Sequence, residues 1–303
     1  DVERSRGLGD VYKRQAVIGV DIAFFEPSDP LADELLANAT KKAGNIVYPV
    51  EYVDFDKTGK GGNILKPIPV LKESASRLGH INILTDDDGI TRSAFLRIHG
   101  NQSYESFPLQ ILKAYLGTDE YNINKDKILI NFVGEPGSFT TISFSDVLNN
   151  RTDADFKDNI ILIGATSPDL HDDAFVPTSA GKAMPGVEIH ANTIQTLLTK
   201  NFLVSQTKLS AILTMFLMAI ITAFILYCFK IYKATLLTVA LMAAYLMIAM
   251  LAFKNGLIMN IIYPEVNILF TYIGITVLNY LTEEKSKKRV MDSFLAFFFC
   301  KII

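Results

Sequence analysis

The side chains that could do chemistry fall into a few short stretches. Glu188, His190 and Asn192 follow one another in MPGVEIHAN (184–192), and Asp172 lies in LHDDAFVPT (170–178). Asp21 ends the apolar run AVIGVD, and Asp86-Asp87-Asp88-Gly89 precedes Arg92. A carboxylate beside an imidazole can bind a ligand or a metal, or move a proton. The spacing i, i+2, i+4 puts Glu188 and Asn192 on one helix face, with His190 about 200° away. A ligand or metal contact through His190 is one reading. A histidine and an amide that cap and tie strand ends is the other, and the favoured one. Asp21, Asp172 and His190 could converge on one cleft, because open α/β sheets bind ligands at the carboxyl ends of their strands; His171, Asp172 and Asp173 could instead form a solvated loop. The acidic run at 86–88 lacks the alternating carboxylates and distal Glu of a calcium loop. It suits a tight turn through Asp86, Asp88 and Gly89, with Arg92 pairing a carboxylate. No Gly-x-Ser-x-Gly motif and no Cys/His zinc spacing occurs, and Gly59-Lys60-Gly61-Gly62 is too short to cradle phosphate. The chain is therefore expected to be non-enzymatic, with no metal and no cofactor.

The elements that must position these residues alternate. Residues 16–25, 45–53, 80–84, 90–100, 127–134, 140–144 and 159–166 read as strands. Residues 30–43 (opened by Asp29), 69–78, 106–116, 146–149 and 186–199 read as helices. The continuous apolar run NIILIGAT suits a strand buried on both faces of a parallel sheet. The fold class is an α/β domain with a mainly parallel mixed sheet, followed by a three-helix all-α transmembrane region.

Composition enforces that division. Half of the 303 residues are hydrophobic, yet residues 209–281 carry only Lys230, Lys233, Lys254 and Glu265 as charges. The segment 209–229 has 21 uncharged residues, about 31 Å as a helix and thus one hydrocarbon core. Residues 234–253 form a second run. The third run reads as an interfacial lead-in at 257–263 and a span at 264–281, with Pro264 and Glu265 suited to a helix start. Net charge is −3 overall, and residues 1–208 carry −7 of it. An acidic first part argues against a nucleic-acid partner. Lys230, Lys233 and the tail's Lys285, Lys287, Lys288 and Arg289 put the first loop and the C-terminus on the cytoplasmic side. Two cysteines, Cys228 and Cys300, decide nothing about compartment.

Several motifs in order resemble one family: VDIAF (20–24) with Asp33 and LLANA (35–39), GHIN (79–82) with DDDG (86–89) and Arg92, SF (143–144) with DVL (146–148), ILIGAT (161–166), Asp172 with Thr178, and MPGVEIHAN with Leu197-Leu198. Together they resemble the second of the CHASE families, the cyclase/histidine-kinase-associated sensory extracellular domains, over residues 16–204. The resemblance implies a bacterial inner (plasma) membrane receptor. Residues 16–204 would be extracytoplasmic and sense a small-molecule or physical cue. Three membrane helices (209–229, 234–253, 264–281), within residues 205–281, would relay it to a cytoplasmic output domain. That output would be a class III adenylate or guanylate cyclase, or otherwise a histidine or serine/threonine kinase. The resemblance also implies a homodimer, with the lipid bilayer as the other partner.

Residues 282–303 resemble the linker before a cyclase domain, and equally suit a basic anchor on anionic lipid. Residues 1–15, polar and without an apolar core segment, are expected to be a non-native leader. The chain is expected to be truncated before its output domain, with 295–303 of doubtful origin. Two alternatives stand beside the receptor: a membrane accessory whose acidic domain binds a periplasmic protein, and an outward hydrolase built on Asp21, Asp172 and His190.

Overall fold

A computed structural model describes residues 17–153, 156–167 and 172–299. The expected leader, His171 and the last four residues lie outside these. The chain divides into two compact units, one up to Phe202 and one from Leu203.

The first unit is built on a five-stranded sheet. Strands β1 (Val17–Asp21), β2 (Ile46–Tyr52), β4 (Arg77–His80) and β9 (Ile160–Gly164) are parallel in the order β4-β2-β1-β9. Strand β3 (Ile64–Leu65) adds antiparallel to the end of β2. The chain runs from β1 to β2 on one side and returns with β9 on the other. The order therefore reverses between β1 and β9, the place where α/β sheets open a crevice.

Helices cover both faces. Helix α1 (Pro30–Ala43) starts where the Asp29 carboxylate accepts from the amides of Leu31 and Ala32, and stops at Gly44 with φ +71°. Such a cap satisfies amides that no helical carbonyl can reach. With α2 (Pro69–Ser74) it buries Val20, Ala37, Tyr48, Ile68 and Leu71. On the opposite face, α3 (Phe107–Leu116) and α5 (Gly186–Thr199) enclose Val17, Val47, Phe107, Ile111 and Ile194. Alternation along β1 sends Val17 to this second face and Val20 to the first, so Asp21 falls with Val17.

Smaller antiparallel pairs extend the unit: β5 (Ser93–Phe95) with β8 (Lys127–Leu129), β6 (Arg97–Ile98) with β7 (Tyr104–Glu105), and β10 (Asp173–Ala174) with β11 (Met184–Pro185). Helix α4 (Phe144–Leu148) completes it.

Four departures from the sequence reading have physical causes. The helix expected over 69–78 ends at Ser74. Ala75 turns extended, Ser76 donates to the Ile46 carbonyl, and 77–80 join β2 as a strand in place of 80–84. The run 127–134 pairs only to Leu129, because the amides of Asn131 and Val133 donate to the side chains of Thr196 and Asn192. Residues 140–143 form no strand, and α4 begins directly after them. Strand β9 is half-buried throughout rather than fully covered, since it is the sheet edge beside β1.

The second unit holds α6 (Lys208–Cys228), α7 (Ile231–Lys254) and α8 (Ile262–Phe299). Strands β12 (Val204–Ser205) and β13 (Leu257–Ile258) pair in parallel. Met218, Tyr245 and Ile268 form its core, and Asn267 donates to the Met215 carbonyl at 2.7 Å. Helices α6 and α7 are long and apolar enough to cross a membrane. Their apolar side chains are largely exposed, Phe216 and Leu236 among them, which water would penalise and lipid would not. The third apolar run differs from its expectation. It forms no separate helix but the first half of α8, a 38-residue helix that continues through the charged tail. Glu265, Asn267, Thr271 and Asn279 dilute its apolar character, so among the described residues two helices rather than three are long and apolar enough to cross a membrane.

Candidate functional site

Asp21 ends β1 opposite Gly164 of β9. Its carboxyl is buried, and Oδ2 has no hydrogen-bond partner among the described residues. Burial pushes its pKa from 3.8 up to about 6. His190 stands on the second turn of α5, 5% exposed, with Nε2 3.9 Å from that oxygen. Burial holds the imidazole down at about 4, against a smaller upward pull from Asp172. The separation alone would suggest an ion pair. Both shifts, however, favour the uncharged forms, and 3.9 Å is too long for a hydrogen bond. Between about pH 4 and 6 both groups are uncharged, which avoids the desolvation cost of buried charge; above 6 the carboxyl ionises beside a neutral imidazole.

Asp172 completes the cluster. Burial, and next the charge of Asp21, raise its carboxyl above the ordinary value, while His190 acts the other way. Its main-chain oxygen accepts from the Gly186 amide at 2.8 Å. Its carboxylate fills the space a side chain at 186 would need, with Oδ1 2.7 Å from that position. A negative group there also meets the positive end of α5. Gly164 has the same necessity: a Cβ on it would lie 2.8 Å from Val187 Cβ and 3.3 Å from Asp21 Cβ. The strand end and the helix start touch through two glycines. Asp21, Asp172 and His190 are thereby brought together at the reversal of strand order.

Glu188 and Asn192 point elsewhere. The Glu188 carboxylate accepts from the amides of Gly137 and Ser138 at 2.8 and 3.1 Å. Asn192 Oδ1 accepts from Val133 N–H at 2.9 Å, and its Nδ2 donates to the Glu188 carbonyl at 2.9 Å. These two side chains hold the 131–138 segment against α5. Arg92 bridges Asp86 at 2.9 Å and Asp88 at 2.6 Å, across a turn in which Gly89 has φ +80°. The guanidinium holds Asp88 down at about 2. Among the described residues no group of three or more His, Cys, Asp or Glu is arranged to hold a metal.

One residue escaped the sequence reading as a site candidate. His80, at the end of β4, is 1% exposed, and neither ring nitrogen has a partner among the described residues. Burial, and next the neighbouring His190, lower its pKa to about 3. Gly79 has the backbone of Phe107 only 2.6 Å from where a Cβ would stand, so α3 presses directly on this strand end.

A helix-covered parallel sheet carries the buried carboxyl–imidazole cluster and is followed in the chain by two helices long and apolar enough to cross a membrane. The sequence model of the CHASE2 domain matches residues 12–227, and the chain belongs to the CHASE2 family. CHASE2 is a sensory domain rather than a catalytic one. No curated protein and no solved structure matches the chain.

Proposed function

We propose that this chain is the sensing and membrane part of a bacterial signal-transduction receptor. The α/β unit lies outside the inner membrane and responds to a small-molecule or physical cue. Asp21, Asp172 and His190 are the residues through which the cue acts. Helices α6, α7 and the first half of α8 cross the bilayer, and the rest of α8 enters the cytoplasm toward an output domain, a class III nucleotide cyclase. The receptor works as a homodimer. One observation carries this reading: α5, which bears His190, is followed after only eight residues by the first apolar helix. A change in how α5 seats against β1 and β9 thus has a short path to the membrane. A cue shifts the output only by binding two arrangements with different affinity.

Fusion of the chain after Phe299 to a class III cyclase catalytic domain tests this in cyclase-deficient cells. His190→Gln and Asp172→Asn are expected to change cyclic nucleotide output at constant membrane level. Output that ignores both substitutions contradicts the proposal.

A further inference from the structure

Between β4, β5, α3 and α5 the first unit has a small cavity. His80, Asn82, Ser93, Ser106, His190 and Thr193 supply its polar wall. The room open to the centre of a water molecule is about 10 Å³, enough for a single one. Three fully buried atoms of that wall have no partner among the described residues: both ring nitrogens of His80, and Ser93 Oγ. Ser93 is 3% exposed, so bulk solvent does not serve it. A buried polar group left unpaired carries its full desolvation penalty.

The chemistry of the wall selects the occupant. Burial keeps His80 neutral, so its ring offers one N–H donor and one bare acceptor nitrogen. The Ser93 hydroxyl can also donate or accept. Among the described residues no Lys, Arg, Asp or Glu lines the cavity, so an ion would meet no countercharge there. The fitting occupant is neutral, donates and accepts at once, and is the size of water.

We propose that this cavity is a built water site, in which one water molecule is held between Ser93 Oγ and a ring nitrogen of His80. The two ring nitrogens diverge around the ring, so one water serves one of them. The bridge joins β4 of the large sheet to β5 of the antiparallel pair, two strands that share no ladder. It stands independently of the receptor reading.

Replacing Ser93 with Ala in the full chain, in detergent, tests it by sign. A water-filled site loses a hydrogen bond, and the melting temperature of the α/β unit falls by about 2–4 °C. A dry site loses an unpaired buried hydroxyl, so an unchanged or higher melting temperature overturns the proposal. Should the variant fail to fold, the unsubstituted chain decides, in a crystal structure that shows ordered solvent. One water-sized density between Ser93 Oγ and the His80 ring supports the site; no density, or a larger molecule, overturns it.

Discussion

Replacing Asp21 with Asn should double the pH dependence of stability contributed together by Asp21, His190 and His80. Between pH 4 and 6 Asp21, His190 and His80 together hold one proton in the folded state, on Asp21, because its pKa is about 6 while His190 and His80 stay neutral down to about 4 and 3. The unfolded chain has Asp21 ionised above 3.8 and both histidines protonated below 6.5, so it holds two. The signs oppose. Asp21, raised on folding, contributes stability that is present below 3.8 and is lost as the pH rises through 6. The histidines, lowered on folding, contribute stability that is present above 6.5 and is lost as the pH falls through 4 and 3. Asp21 thus offsets one histidine. A net difference of one proton makes stability rise by about 1.4 kcal/mol per pH unit across that window. Asp21→Asn leaves a difference of two, or about 2.7 kcal/mol per pH unit. Urea unfolding of residues 16–204 at several values between pH 4.5 and 5.5, followed by circular dichroism, reads both slopes. Surface carboxylates such as Asp88 contribute equally to both proteins and drop out of the comparison. Parallel slopes would mean that Asp21 titrates as an ordinary carboxyl, and would refute the burial argument.

Three further outcomes follow from particular contacts. Asn192→Ala leaves the Val133 amide without its acceptor and should cost about 1–3 kcal/mol in the same unfolding assay. Gly164→Ala should cost about 1–3 kcal/mol by overpacking against Val187, and Val187→Ala should recover part of that in the double variant. Arg92→Ala should cost under about 1 kcal/mol, because its partners are partly exposed; 1 M salt should remove most of the difference.

The helices were the legible part of the fold, because their ends are written in local chemistry. Asp29 and Gly44 bracket α1, and Ser106 and Gly117 bracket α3 through side-chain and left-handed caps. The strands after β2 were less legible, because their pairing depends on distant partners. Periodicity carried the helix expected over 69–78 past Ser74. Only the β2 edge, by accepting 77–80 as a strand, reverses that reading. In the run 127–134 the decisive groups were Asn192 and Thr196, some 60 residues away, whose side chains take the amides a neighbouring strand would have used. Asp21, Asp172 and His190 could be placed near one another from strand order alone, since a parallel sheet gathers its carboxyl ends. His80 could not, because a histidine opening the expected strand 80–84 looks the same whether buried or solvated, and the close seating of α3 on Gly79 is set by distant residues.

The account stands on an odd number of membrane crossings between the α/β unit and the charged end of α8. Single cysteines at the exposed positions Asn63 and Lys287, with Cys228 and Cys300 replaced, measure this directly in spheroplasts through a membrane-impermeant maleimide. Position 63 should label on intact spheroplasts, and position 287 only after lysis. Labelling of both from outside would leave α6 and α7 as the only crossings, and labelling of 287 alone would turn the receptor around; either contradicts the account.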